Sequence, residues 1–297
     1  MKLRATPQGY LLFDRRSGVN VLFEEVLPDE PSPAPAMVSF SLTNRCNLAC
    51  PHCFVPKGRS DLPFSLLSEW LLELDRNGCV EVGFGGGEPL LHPDFVAICG
   101  FVHSRTGMAC TMTTNGTLLS EETLASLKGL VNFCRISMDG WGLVHERARG
   151  APFDALVSTI GKAASRIRTG VNYLLNDETV NDLDRVARLL ESLAVEELLL
   201  LPETGKDGNP ILSPPAVSTL RNWVADYGGA LRLRGSERTC ATMLPSVSAP
   251  GDEALQRYVH VDANGILKAD SFATGGVPIG PCGFLDAFQR LKKGATP

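Results

Sequence analysis

From position 37 to about 201 the chain alternates short apolar runs with longer amphipathic stretches. MVSFSL, VEVGF, ACTMTT, VNFCRISM, GVNYLL and VEELLLLP have the length and composition of strands. Between them, PFSLLSEWLLELDRNG, PDFVAICGFVHSRTG, SEETLASLKG, PFDALVSTIGKAASRI and NDLDRVARLLESL place apolar residues three and four apart, as helices do. Asn77-Gly78 and Gly107 read as helix stops, and Ser120 as an N-cap. With PPAVSTLRNWVADYG after the last strand, this makes six strand–helix rounds. The rhythm predicts parallel βαβ units with right-handed crossovers. An open doubly wound sheet and an incomplete barrel both satisfy it. In either, chemistry belongs at the C-terminal ends of the strands.

The flanks break the rhythm. Before it, GYLLFD and VNVLFEEV surround Arg15-Arg16-Ser17-Gly18, a hairpin with a glycine-bearing turn, and a proline-rich linker runs from Pro28 to Pro35. After it, YVHVDANGILKADSF predicts a hairpin turning at Ala263-Asn264-Gly265, and FLDAFQRLKKG a terminal helix. Three parts follow: a hairpin and linker over 1–35, a core over 36–229, and a small α+β extension over 230–297. At 297 residues and 44% hydrophobic, the chain can bury one large core. A net charge of −5 argues against nucleic acid as a partner. The first residues lack the apolar run of a signal peptide, and no segment is apolar enough to span a bilayer. The expectation is a cytoplasmic protein with no membrane partner.

Nine cysteines are many for a reducing compartment, where clustering points to metal or catalysis. Cys79, Cys99, Cys110 and Cys134 fall in core patterns, where a thiol acts as a small hydrophobe. Cys46, Cys50 and Cys53 instead share one loop directly after the first core strand. Three thiolates there can converge on zinc completed by a fourth ligand, or hold an iron–sulfur cluster with one iron left open. The next strand ends carry further candidates. Gly85-Gly86-Gly87-Glu88-Pro89 follows the second, Thr113-Thr114-Asn115-Gly116 the third and Ile136-Ser137-Met138-Asp139-Gly140 the fourth. Each alone is also an ordinary turn. Ser137 and Asp139 lie two apart and project to the same side.

Cys-x-x-x-Cys-x-x-Cys, Gly-Gly-Glu-Pro, Thr-Asn-Gly and Ser-x-Asp-Gly, in this order at successive strand ends, resemble the radical S-adenosylmethionine superfamily. The similarity runs over about Val38 to Leu201. It implies a partial (β/α)6 TIM-like barrel, with a [4Fe–4S] cluster on Cys46, Cys50 and Cys53 and S-adenosylmethionine on its open iron. In this family, reductive cleavage of that cofactor gives a 5′-deoxyadenosyl radical, which abstracts a hydrogen from a substrate. The resemblance assigns cofactor contacts to Gly86, Gly87, Glu88, Asn115, Ser137, Asp139 and, at the sixth strand end, Leu201. His145-Glu146-Arg147-Ala148-Arg149-Gly150 is similar to the family's His…Arg-Gly segment and assigns Arg147 to a carboxylate, the other reading being a solvated arginine. His52 stands where the family commonly has an aromatic residue, either on the adenine side or at the surface.

The tail resembles the SPASM/twitch extension of some members, with Asp270 at the position of a hairpin cysteine. Either Cys240, Asp270 and Cys282 hold an auxiliary Fe–S cluster, or the tail has lost its cluster and caps the barrel. A reductant such as flavodoxin or ferredoxin is implied as a partner. Among members, the Ser-x-Asp-Gly segment and tail look most like those that modify ribosomally made peptides. The alternatives are a dehydrogenase or epimerase of a small metabolite and, in another class, a non-catalytic Fe–S or zinc scaffold.

Overall fold

The computed structural model describes residues 1–205, 209–236 and 254–294. The chain opens with an antiparallel meander of β1 (Lys2–Thr6), β2 (Gly9–Asp14) and β3 (Val19–Phe23). β2 and β3 form the expected hairpin, closed at Asp14↔Val19. β1 extends it, and its KLRAT carries too little apolar alternation to announce a strand.

The core strands are β4 (Met37–Thr43), β5 (Glu81–Gly86), β6 (Ala109–Thr114), β7 (Phe133–Met138), β8 (Thr169–Leu175) and β9 (Glu197–Pro202). Between them run α1 (Phe64–Arg76), α2 (Phe95–Arg105), α3 (Glu121–Leu127), α4 (Leu143–Arg149), α5 (Phe153–Ala164) and α6 (Leu183–Ser192). α7 (Pro214–Asp226) leads to a seventh parallel strand, β10 (Arg232–Gly235), which pairs with β9. Beyond a helical turn at Ala254–Arg257 come β11 (Tyr258–Val261), β12 (Ile266–Lys268), β13 (Val277–Pro278) and α8 (Phe284–Lys292).

Strand order separates the two architectures left open by the sequence. The sheet runs β10-β9-β8-β7-β6-β5-β4-β11-β12-β13, so the core strands follow one another without the reversal of a doubly wound sheet. This is a singly wound, TIM-like partial barrel. Its terminal strands, β10 and β13, do not pair with each other among the described residues. β11 lies parallel to β4, Tyr258 beside Met37, so the tail hairpin continues the core sheet.

Winding in one sense gives the sheet two unlike faces. On the helix-covered face, Phe40, Phe84, Met112, Ile136, Val171 and Leu200 are all buried. Burying each such side chain contributes about 1.5–3 kcal/mol. α1 meets this face with Leu67, Trp70, Leu71 and Leu74, and α6 with Leu183, Val186, Ala187 and Leu190. Cys79, Cys99, Cys110 and Cys134 are buried as well, and burial pushes the Cys79 and Cys134 thiols up to about 12. Register places Ser39, Thr111, Arg135, Ser137, Asn172 and Glu197 on the opposite, inner face. These polar groups stand among Phe133, Leu174, Leu199 and Leu201 of the same face, a mixture that suits a ligand-holding interior.

Candidate active site at the mouth of the barrel

The three-cysteine loop leaves the C-terminal end of β4 and is braced before it reaches the first cysteine. The Gly87 and Glu88 amides donate to the carbonyls of Thr43 (2.7 Å) and Arg45 (2.8 Å). Arg45 in turn clamps Asp61 through Nε (3.1 Å) and Nη2 (2.8 Å), closing the loop's far end. The glycine run serves this approach. Gly86 sits at φ +119°, and a Cβ on Gly87 would fall inside the Arg45 carbonyl. Gly85 alone faces open space.

Glu88 is fully buried, and its carboxylate accepts from Thr114 Oγ1 (2.8 Å), the Asn115 amide (2.8 Å) and the Leu90 amide (3.2 Å). Burial raises its pKa against those three bonds. Here Glu88 ties the second strand end to the third. Asn115, so positioned, directs Nδ2 toward Asn47 Oδ1 (3.0 Å) and Cys46 Sγ (3.9 Å), and the Leu48 amide lies 3.4 Å from the same sulfur. Cys46, Cys50 and Cys53 are all half-buried, with free thiols. Burial pushes the Cys50 thiol up, Arg149 opposes this, and Cys53 and Cys46 are near enough to push it further. Among the described residues no three His, Cys, Asp or Glu side chains converge as ligands of one ion. A cluster makes a looser demand, because each thiolate takes a different iron.

Asp139 joins the loop to the fourth strand end. It accepts from Arg149 Nε (2.6 Å) and Nη2 (3.1 Å), and His52 Nε2 stands 3.0 Å from its Oδ2. Burial would raise the Asp139 pKa, but the bond from His52 and the charge of Arg149 outweigh it and hold the carboxyl below its usual range. His145 Nδ1 accepts from the Asp139 amide (3.2 Å), and burial lowers this histidine to about 4. Of the two arginines on α4, the structure therefore brings Arg149 to the site. Arg147 is exposed and pairs with equally exposed Glu178 at 2.8 Å. Arg147, expected at a carboxylate, stands in a surface ion pair instead of beside Asp139: two residues apart on a helix, the two arginines face different ways.

Below the loop, Ser137 and Asn172 stand side by side on the inner face, and Leu201 lies beside Leu174 toward the mouth. Asn172 Oδ1 is buried with no hydrogen-bond partner among the described residues. A buried acceptor without a donor is costly unless a ligand supplies one. Three thiols on one loop, a cation near Cys50 and an unmet acceptor on the inner face fit a cluster with a polar organic cofactor on it. The sequence pattern did not single out Arg149 or Asn172. An inward position in GVNYLL was the available signal for Asn172.

The tail reaches this site from the side. Phe272 packs on Phe54, the residue after Cys53, at 4.5 Å between centroids. Asp270 Oδ1 accepts from the Phe272 (2.7 Å) and Ala273 (2.8 Å) amides, so that oxygen holds its own turn. Cys282 is exposed, and Cys240 lies outside the described residues. His260, unforeseen in the sequence, enters the inner face from β11, with Nδ1 2.7 Å from Ser39 Oγ and Nε2 3.2 Å from Ser41 Oγ.

A family model described as the Radical SAM superfamily matches residues 40–190. The chain belongs to this superfamily, whose members are enzymes that use a [4Fe–4S] cluster and S-adenosylmethionine. Among curated proteins it is similar to Fe-coproporphyrin III synthase of Methanosarcina barkeri, 28% identical over 52% of this chain and 41% of that one. It is also similar to the mycofactocin maturase MftC of Mycobacterium tuberculosis, 30% identical over 52% of this chain and 42% of that one. The matched stretch thus spans about two fifths of those two relatives. Streptococcus suis SuiB bound to its precursor peptide SuiA shares the fold, with a TM-score of 0.74 at 13% identity, covering 90% of this chain and 81% of SuiB. No helix among the described residues is long and apolar enough to cross a membrane.

Proposed function

We propose that Cys46, Cys50 and Cys53 hold the [4Fe–4S] cluster and that S-adenosylmethionine binds above Ser137 and Asn172. Arg149 stands ready for the cofactor carboxylate, and an external reductant such as flavodoxin or ferredoxin supplies the electron. The observation that carries this reading is that Cys50 lies within electrostatic reach of Cys46, Cys53 and the Asp139–Arg149 pair, at the mouth end of the inner face. The bound group would supply a 5′-deoxyadenosyl radical able to take a hydrogen from substrate. The chain's own residues orient cofactor and substrate and screen the mouth from water. His52 and Arg149 fix Asp139, Glu88 fixes Asn115, and Phe272 of the tail packs on Phe54 of the loop.

A peptide is the substrate favoured here. MftC is named a maturase, and SuiB is seen with a precursor peptide. Relatives named as porphyrin and heme synthases support a small-molecule substrate as the second reading.

Anaerobically reconstituted protein, reduced with dithionite, tests this reading. The expectation is about four irons per chain and release of 5′-deoxyadenosine from S-adenosylmethionine. Alanine at any one of Cys46, Cys50 or Cys53 removes both. About eight irons would add a second cluster on the tail. An intact cluster that releases no 5′-deoxyadenosine would overturn the proposal in favour of a scaffold.

A further inference from the structure

The inner face ends, away from the mouth, in a group of charges that the proposed cofactor chemistry does not use. Register aligns Arg135, Gly170, Glu197 and Arg232 across β7, β8, β9 and β10, and Arg234 follows on the same face of β10. Glu197 is 4% exposed at its side chain and accepts from Arg135 Nη1 on Oε1 and from Arg234 Nε (3.2 Å) on Oε2. Arg232 Nη1 comes only to 3.9 Å. Two rows away, Glu81 accepts from Thr111 Oγ1 (3.1 Å), and its burial favours the neutral acid.

Three guanidiniums therefore converge on one committed carboxylate. Each carries five N–H donors in a planar fork. Arg232 and Arg234 are half-exposed, at 52% and 56%, so the part of each fork turned from Glu197 can meet a ligand. Like charges gathered beside a low-dielectric wall repel one another unless a further anion joins them. Gly170 makes room for the Phe133 ring beneath Arg135. A side chain there would strike the Phe133 ring, on which Arg135 lies at 4.8 Å.

We propose that Arg232 and Arg234, backed by Arg135, bind a carboxylate of the substrate at the inner end of the barrel. This rests on the reading of the mouth as the reactive end. Guanidinium forks match a carboxylate's two oxygens, which makes the site selective as well as attractive. From the row of Glu197 to that of Leu201 is four residues, roughly 13 Å at strand rise. The substrate then carries its carboxylate about that far from the atom that reacts. A few extended residues of a peptide, or a large multi-carboxylate molecule, have that reach, whereas a single amino acid does not.

Glutarate is a suitable probe, titrated calorimetrically into the reconstituted holoenzyme at low ionic strength. Saturable binding is expected, weakened about tenfold in the Arg232→Gln/Arg234→Gln double variant through loss of charge-assisted contacts. Both side chains are half-exposed, so the variant should keep its circular dichroism and its release of 5′-deoxyadenosine without substrate. Absence of saturable binding to the wild type, or equal binding by the folded double variant, overturns the proposal. Should the wild type bind glutarate through these arginines yet release no 5′-deoxyadenosine, the reading of the mouth fails and the carboxylate site stands.

Discussion

Asp139 illustrates how one buried charge organises the mouth. It is 3% exposed and survives as an anion because Arg149 offers two donors and His52 a third contact. Removing the cation strands that charge, and breaking a buried pair typically costs about 3–5 kcal/mol. Arg149→Gln should accordingly lower the urea midpoint clearly and suppress 5′-deoxyadenosine release, whereas Arg147→Gln should change neither. An equal effect of the two variants would refute the assignment. Ser-x-Asp-Gly made Asp139 legible from the sequence. The choice between Arg147 and Arg149 was not, because it depends on where α4 begins. That start is set by Gly142 at φ +55°, a backbone state that no local pattern declared.

At the scale of elements, the cysteine loop is placed by what supports it. A methyl group on Gly87 has nowhere to go while the Arg45 carbonyl accepts from Glu88. Gly87→Ala should therefore reduce iron content after reconstitution several-fold while far-ultraviolet circular dichroism stays unchanged; full iron loading would sink this account. The terminal helix depends on a similar long-range contact. Glu73 of α1 accepts from the amides of Phe284 (2.7 Å) and Leu285 (3.0 Å), capping α8 from another element. Behind the cap, Phe284, Ala287 and Phe288 are fully buried. Glu73→Ala should cost about 1–2 kcal/mol of stability in urea unfolding, the usual range for a lost N-cap. Helices such as α1 and α6 were legible because their apolar faces repeat locally. β10 and the pairing of β11 with β4 were not, since a four-residue strand carries little pattern and its partner lies far away in sequence.

On the scale of the whole molecule, the βα rhythm was readable but its closure was not, because a doubly wound sheet and a partial barrel share that alternation. What distinguishes them is a neighbour relation: the strands from β4 to β10 follow one another without reversal, and β11 extends the sheet beyond β4. That extension drives a titratable side chain into the seam. His260 is 7% exposed between Ser39 and Ser41, and burial holds its pKa at about 4 against an ordinary 6.5. Between those values the unfolded chain binds the proton and the folded chain does not. Stability thus rises with pH across this window and is lost as pH falls from about 6.5 toward 4. The span corresponds to an upper limit on the order of 3 kcal/mol, and His145, also held at about 4, adds in the same direction. Urea midpoints of cluster-free protein should accordingly fall between pH 7 and pH 4.5, and fall less in His260→Gln, whose amide can still bond one serine but takes no proton. Parallel losses in the two proteins would mean that acid enters elsewhere, and the seam between β4 and β11 would then not be where the barrel first gives way.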